Sequence, residues 1–181
     1  MLFVRHATTP GMRAAFFPVD EDADAAGLTR AAALRPAAGA AWVAPTRAAR
    51  QTAAAMGLTA RETPALAEAD CGRWRGLPYE RVALEEPEAL ASWLADPHAA
   101  PHGGESLAAL AARVAGWLDA TRDEPERVAV CDAGAIRAAL AHALGVGPLT
   151  TARFDLAPLS TTELSTTGLT GWRVAHVNRK V

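Results

Sequence analysis

The sequence predicts an α/β protein, a three-layer sandwich built on a mostly parallel sheet with helices on both faces. Short β-branched or apolar runs alternate with longer segments of helical period, a pattern that favours mixed layers over separate helical and sheet units. The 181 residues make about one domain, taken as 1–181, and a hydrophobic content of 50% can fill a sizeable core. Leu107, Leu110, Val114, Trp117 and Leu118 recur on one face of a helix, as a layer resting on a sheet requires.

Five strands are predicted: Leu2–Arg5, Ala41–Ala44, Arg127–Cys131, Thr162–Ser165 and Trp172–Val177. Residues 10–26, acidic in their second half and weakly patterned, read as a surface loop. Pro87 breaks the helical region Tyr79–Leu94 in two, and the Pro/Gly-rich stretches at 96–98 and 101–104 mark an irregular connection. Ser106 is a suitable N-cap for a helix reaching Arg122. Ile136, Leu140 and Leu144 extend a helix directly after the third strand, and Gly145 stands where a left-handed C-terminal cap belongs.

Composition narrows the function. The net charge of −2, from 18 Lys+Arg against 20 Asp+Glu, lacks the basic excess of a nucleic-acid binder. Arg5 and His6 interrupt the early apolar run, so no signal peptide is expected, and no window is long enough for a membrane helix. Two cysteines, Cys71 and Cys131, are too few for a disulfide framework and suit the cytoplasm. A homodimer is compatible with the sequence but is not specified by it.

The candidate site lies at strand ends. In open α/β sheets ligands bind outside the carboxyl ends of the strands. The first strand delivers Arg5 and His6 there, and the third delivers Cys131 and Asp132. A neutral imidazole at such an edge is nucleophilic near pH 7, and an adjacent arginine can hold phosphoryl oxygens.

Five segments in order resemble the histidine phosphatase superfamily, the phosphoglycerate mutase-like enzymes. Arg5-His6-Ala7-Thr8-Thr9 resembles the Arg-His-Gly-x-Thr signature, and Ala44-Pro45-Thr46-Arg47-Ala48-Ala49-Arg50-Gln51-Thr52-Ala53 the segment Ser-Pro-Leu-x-Arg-Ala-x-Gln-Thr-Ala. Leu66 to Gly76 is similar to Leu-x-Glu-x-Asp-x-Gly-x-Trp-x-Gly, Gly103-Gly104-Glu105-Ser106 to Gly-Gly-Glu-Ser, and Asp132 to Ala138 to His-Gly-Gly-x-Ile-Arg-Ala. The resemblance implies a phosphoglycerate mutase-like fold and hydrolysis of a small phosphomonoester without metal or cofactor. By the same resemblance His6 is the phospho-acceptor, Arg5 the phosphate clamp and Glu68 the proton donor to the leaving group.

Two positions depart from the pattern. Ala48 stands where the family has its second arginine, and Asp132 where it has its second histidine. Arg47 and Arg50 would be rotated by about 100° and 200° from the Ala48 position if Thr46 opens a helix. An ionised Asp132 about 4 Å from a phosphate oxygen would add repulsion of about 4 kcal/mol at an effective dielectric near 20. Losing one positioned donor costs about 10²–10³ in rate.

Arg47 and His102 are therefore the expected replacement donors, with Asp132 placed against the phosphate. The alternatives are a catalytically inactive anion-binding or interaction protein on the same fold, or a cysteine-dependent phosphatase. The last rests on Cys131-Asp132-Ala133-Gly134-Ala135-Ile136-Arg137, which resembles a Cys-x-x-Gly-x-x-Arg phosphate loop, although Ala138 follows where those enzymes carry a hydroxyl. His6, Glu68 and Asp132 could also offer one nitrogen and two oxygens to a metal, but no ligand spacing supports a dedicated metal site. Arg137 is expected in an ion pair with Asp132 or at the sheet edge.

Overall fold

A computed structural model describes residues 1–34, 40–124, 128–168 and 171–180. Its sheet has six strands in the order β3-β2-β4-β1-β5-β6. They are β1 (Leu2–Arg5), β2 (Ala40–Val43), β3 (Thr59–Glu62), β4 (Val128–Cys131), β5 (Thr161–Thr167) and β6 (Gly171–Arg179). The first four run parallel to one another, whereas β5 lies antiparallel to β1 and β6 antiparallel to β5. The expected strand start at Arg127 lies outside the described residues.

β4 is buried at all four residues, as a strand covered on both faces must be. Helix α3 (Arg47–Ala55) packs on β2, β3 and β4 and against α2 (Ala25–Ala33), while α7 (Ala133–Leu144) packs on β1 and β6 and against α6 (Leu107–Ala120). Sheet and helices join through aromatics: Trp117 of α6 lies edge-on to Phe3 of β1 and Trp42 of β2, with ring centroids 6.3 and 5.9 Å away.

Local chemistry sets the helix ends. Ser106 accepts a hydrogen bond from the Ala109 N–H, and Gly145 closes α7 at φ 64°. Pro87 opens a separate helix, α5 (Pro87–Ala95), after α4 (Tyr79–Glu85).

The segment 10–26 corrects the expectation of a plain surface loop. It holds the short helix α1 (Pro10–Arg13), capped by Thr9, and the start of α2, capped by Asp24. Phe17 is buried in a second apolar cluster with Cys71, Trp74, Val82 and Leu90. Those partners lie more than fifty residues away, so nothing local announces its burial.

β1 and β4 are adjacent in register, with Arg5 opposite Cys131, and the His6 N–H donates to the Cys131 carbonyl at 3.1 Å. The residues that follow the two strands, His6 and Asp132, therefore leave the sheet side by side. The fold places both at the carboxyl edge of the parallel strands.

Candidate active site

A cleft of about 90 Å³ at this edge is lined by Arg5, His6, Thr9, Glu21, Thr46, Ala48, Glu68 and Asp132, among others. It brings together His6, Arg5, Glu68 and Asp132 from β1, from the 67–71 connection and from the start of α7.

The His6 imidazole is fixed at both nitrogens. Nδ1 lies 2.7 Å from the Ala7 carbonyl, which can only accept, so Nδ1 carries a hydrogen. Nε2 is left facing the cleft, 2.9 Å from Oδ1 of Asp132. Between Nε2 and Oδ1 a hydrogen bond needs one proton, held as imidazolium with carboxylate or as imidazole with carboxylic acid. Burial alone would push the imidazole down, but the Asp132 hydrogen bond and charge outweigh it and hold His6 above its ordinary value. The other Asp132 oxygen accepts from the Thr46 hydroxyl at 3.4 Å.

Glu68 sits against the first turn of α7. Its Oε2 accepts from the Gly134 N–H and its Oε1 from the Ala69 N–H, each at 2.9 Å. Burial, then the charge of Asp132, raises its carboxyl despite these two donors, which is the direction a proton donor needs. Gly134 is required here, because a Cβ at that position would lie 1.8 Å from Glu68 Oε1.

The Glu68 segment is itself held from behind by Arg113 of α6, a residue that nothing local in the sequence marks. Its guanidinium forks onto Glu105 at 2.9 and 2.6 Å and donates to the carbonyls of Pro64, Ala65 and Ala67. Gly104 lets the 103–106 turn approach Asp70, whose carbonyl accepts from the Glu105 N–H at 2.7 Å. A Cβ on Gly104 would stand 1.9 Å from that carbonyl oxygen. The two motif segments are thus two sides of one support.

Arg5 donates through one terminal nitrogen to the Leu156 carbonyl. Its Nε is buried and finds no acceptor among the described residues. Burial, then the neighbouring Arg137, lowers its tendency to stay charged, so an anion in the cleft would relieve both effects.

The structure does not bring the two expected replacement donors to the cleft. Arg47 points to Asp20 and Asp22, with nitrogen–oxygen distances of 3.5 and 3.2 Å, and its backbone N–H also donates to Asp20. Arg50 pairs with Glu62 at 3.0 Å. Of the helical residues in that turn Ala48, beside the N-cap Thr46, reaches the cleft wall, because successive helical residues are rotated by about 100°. His102 is buried against Trp74, ring centroids 4.9 Å apart, and its Nδ1 accepts from the Gly104 N–H at 3.0 Å. It is held there by edge-on packing against Trp74, away from the cleft. Arg137 donates from two nitrogens to the Phe154 carbonyl at 2.9 and 2.8 Å in place of an ion pair with Asp132.

Cys131 is fully buried in β4, and burial, then the charges of Asp132 and Glu68, push its thiol well up. The Gly134 N–H, which a phosphate loop would turn to the anion, is already given to Glu68. Among the described residues no group of three or more His, Cys, Asp or Glu could hold a metal ion.

The profile of the Histidine phosphatase superfamily (branch 1) matches residues 1–180. Glucosyl-3-phosphoglycerate phosphatase of Mycobacterium tuberculosis is 38% identical over 98 residues, 49% of this chain and 44% of that protein. Phosphoserine phosphatase 1 of Hydrogenobacter thermophilus is 41% identical over 56 residues, 30% of this chain and 26% of that protein. The alignments span less than half the length of these curated relatives. A solved structure of mycobacterial glucosyl-3-phosphoglycerate phosphatase complexed with VO3 superposes with a TM-score of 0.84 at 27% identity, covering 99% of this chain and 98% of that one. Phosphoserine phosphatase from Entamoeba histolytica shares the fold with a TM-score of 0.85 at 17% identity, over 98% and 95% of the two chains.

Proposed function

The chain belongs to the histidine phosphatase superfamily, and on that premise we propose that it hydrolyses a small phosphomonoester through a phosphohistidine at His6. The observation that carries this reading is the fixed imidazole: Nδ1 tied to the Ala7 carbonyl, Nε2 aimed into a cleft that also holds Arg5 and Glu68.

In the reaction Nε2 attacks phosphorus, the ester P–O bond breaks, and the alcohol oxygen leaves with the Glu68 proton. Water then attacks the phosphoramidate with Glu68 as base, releasing phosphate and restoring both groups. Arg5 holds the phosphoryl oxygens.

Asp132 sets the condition for turnover. As a carboxylate it occupies Nε2 and repels the ester. With the shared proton moved onto it, Nε2 is free and the carboxylic acid becomes a hydrogen-bond donor to a phosphate oxygen, in the place of the family's second histidine. The reactive form thus carries one proton across the pair, and the rate falls at alkaline pH as the pair, whose His6 is held above its ordinary value, loses that proton. With Arg5 the only fixed cation lining the cleft among the described residues, turnover is slow. Two free, buried cysteines suit a cytoplasmic enzyme.

A second reading is favoured by the three carboxyl groups, Glu21, Glu68 and Asp132, that face Arg5 and His6 in the cleft: a catalytically silent protein on the same fold. Hydrolysis of p-nitrophenyl phosphate from about pH 4 to 8 by the native protein, His6→Ala and Asp132→His separates the two. Activity abolished by His6→Ala supports the enzyme. A silent native protein that becomes active as Asp132→His supports the degenerate site, and loss with Cys131→Ser but not His6→Ala would refute both.

A further inference from the structure

A second cavity, of about 490 Å³, opens beside the catalytic cleft and shares Phe17, Pro18 and Glu68 with it. We propose that this cavity receives the alcohol half of the substrate, and that the substrate is a phosphomonoester of a bulky apolar or aromatic alcohol in preference to a small polyol. The proposal rests on the phosphatase reading above.

The position of Glu68 forces the geometry. A proton donor must lie within hydrogen-bond reach of the leaving oxygen, and Glu68 is the polar group common to both cavities. With phosphorus beside His6 and the leaving oxygen at Glu68, the carbon skeleton continues into the larger space. Its size falls in the range of small-molecule sites, about 300–1,000 Å³.

The walls select for apolar carbon. Trp93, Leu94, Leu107, Leu110, Ala138 and Leu149 supply them from α5, α6, α7 and α8 (Pro148–Thr151). Of the charged residues there besides Glu68, Arg137 spends its fork on the Phe154 carbonyl and Arg153 is exposed at the rim. A polyol would meet few partners for its hydroxyls, and each hydroxyl desolvated without one weakens binding. A phenyl or branched alkyl group has no such loss and gains buried area.

The test compares two primary alkyl esters of similar leaving-group basicity, 3-phenylpropyl phosphate and glycerol 3-phosphate. The expected kcat/KM ratio in the native protein favours the phenylpropyl ester by about 10- to 100-fold. Ala152→Trp, which fills the cavity from an exposed position, and Leu107→Glu, which puts a charge into it at a helix N-terminus that tolerates one, should each cut that ratio at least about tenfold. A ratio near one in the native protein, or a ratio unmoved by both folded variants, overturns the proposal.

Calorimetric titration with 3-phenylpropylphosphonate and methylphosphonate separates this proposal from the phosphatase reading. If neither ester turns over, that reading fails, but tighter binding of the phenylpropyl compound that both variants weaken still supports the cavity assignment. Equal binding of the two phosphonates overturns it.

Discussion

Replacing Asp132 with asparagine removes the charge of the His6 pair while keeping its shape, and the stability of the protein should respond with a definite sign in pH. Asparagine is as good an N-cap as aspartate, and Asp132 makes no side-chain cap bond to α7, so the helix start is preserved. What is lost is a charge-assisted bond of 2.9 Å between side chains only 6% and 14% exposed. Such a bond contributes about 1.5–3 kcal/mol. Because the native His6 is held above its ordinary value, this contribution is fully present below the unfolded value of about 6.5 and is lost as pH rises through the elevated native value. In Asp132→Asn the burial of the imidazole is no longer offset by a carboxylate, its value falls below about 6.5, and stability is instead lost as pH drops through that region. The gap between native protein and variant should therefore be about 1.5–3 kcal/mol near pH 6 and shrink toward pH 8.5. Urea unfolding followed by tryptophan fluorescence measures the gap, and NMR titration of the His6 ring measures the cause. Parallel stability curves, or an unchanged His6 titration, would refute the shared-proton account.

Glu68→Gln should lower kcat on alkyl phosphates by about 10²–10⁴, with a smaller loss on p-nitrophenyl phosphate, whose leaving group needs no proton; equal losses on both would remove Glu68 as the acid. Gly134→Ala drives a methyl group toward the Glu68 carboxylate, and displacement on that scale should cost about 100-fold in kcat and about 1–3 kcal/mol in urea-unfolding stability. Arg113→Met unties Glu105 and three carbonyls of the Glu68 segment at a side chain 26% exposed. Denaturation should show a loss of about 1.5–3 kcal/mol, with a fall in kcat that a purely distant structural defect would not bring.

The parts of this site legible in the sequence are those that sit where a regular element ends. His6 and Asp132 follow two apolar strands, and parallel neighbours in register must release their next residues together. Ser106, Gly145 and Pro87 act within a turn of themselves, so local chemistry suffices to place them. The rotation that turns Arg47 and Arg50 away from the Ala48 position follows from helical geometry alone, although their partners Asp20, Asp22 and Glu62 do not. β3 carries no strand signal because all four of its residues, Thr59 to Glu62, are exposed at the sheet edge and show no apolar alternation. His102 and Phe17 give no local sign of their positions for the converse reason: both are buried by Trp74, a contact that no spacing in the chain encodes.

The charge balance of the cleft and the geometry of His6 lead to one consequence that neither implies alone. A phosphate monoester loses its second proton near pH 6, so at neutral pH it arrives as a dianion. Beside it, the ion-pair form of His6 and Asp132 leaves a carboxylate facing the phosphoryl oxygens, at a cost of about 4 kcal/mol at 4 Å. Moving the proton by the width of one hydrogen bond, from Nε2 to Oδ1, removes that carboxylate and supplies a donor to the phosphate in the same step. It also leaves Nε2 with the lone pair that attack on phosphorus needs. In the proposed reaction substrate binding then generates the nucleophile, with no proton entering from solvent, since the pair holds the one required. An asparagine at 132 removes the carboxylate but has no acidic proton to move, so in Asp132→Asn the alkaline fall of the rate on p-nitrophenyl phosphate, whose leaving group needs no proton from Glu68, should vanish, leaving an acid fall set by protonation of His6. Loss of activity at alkaline pH in that variant, as steep as in the native protein, would show that the proton on the pair is not the one that controls turnover.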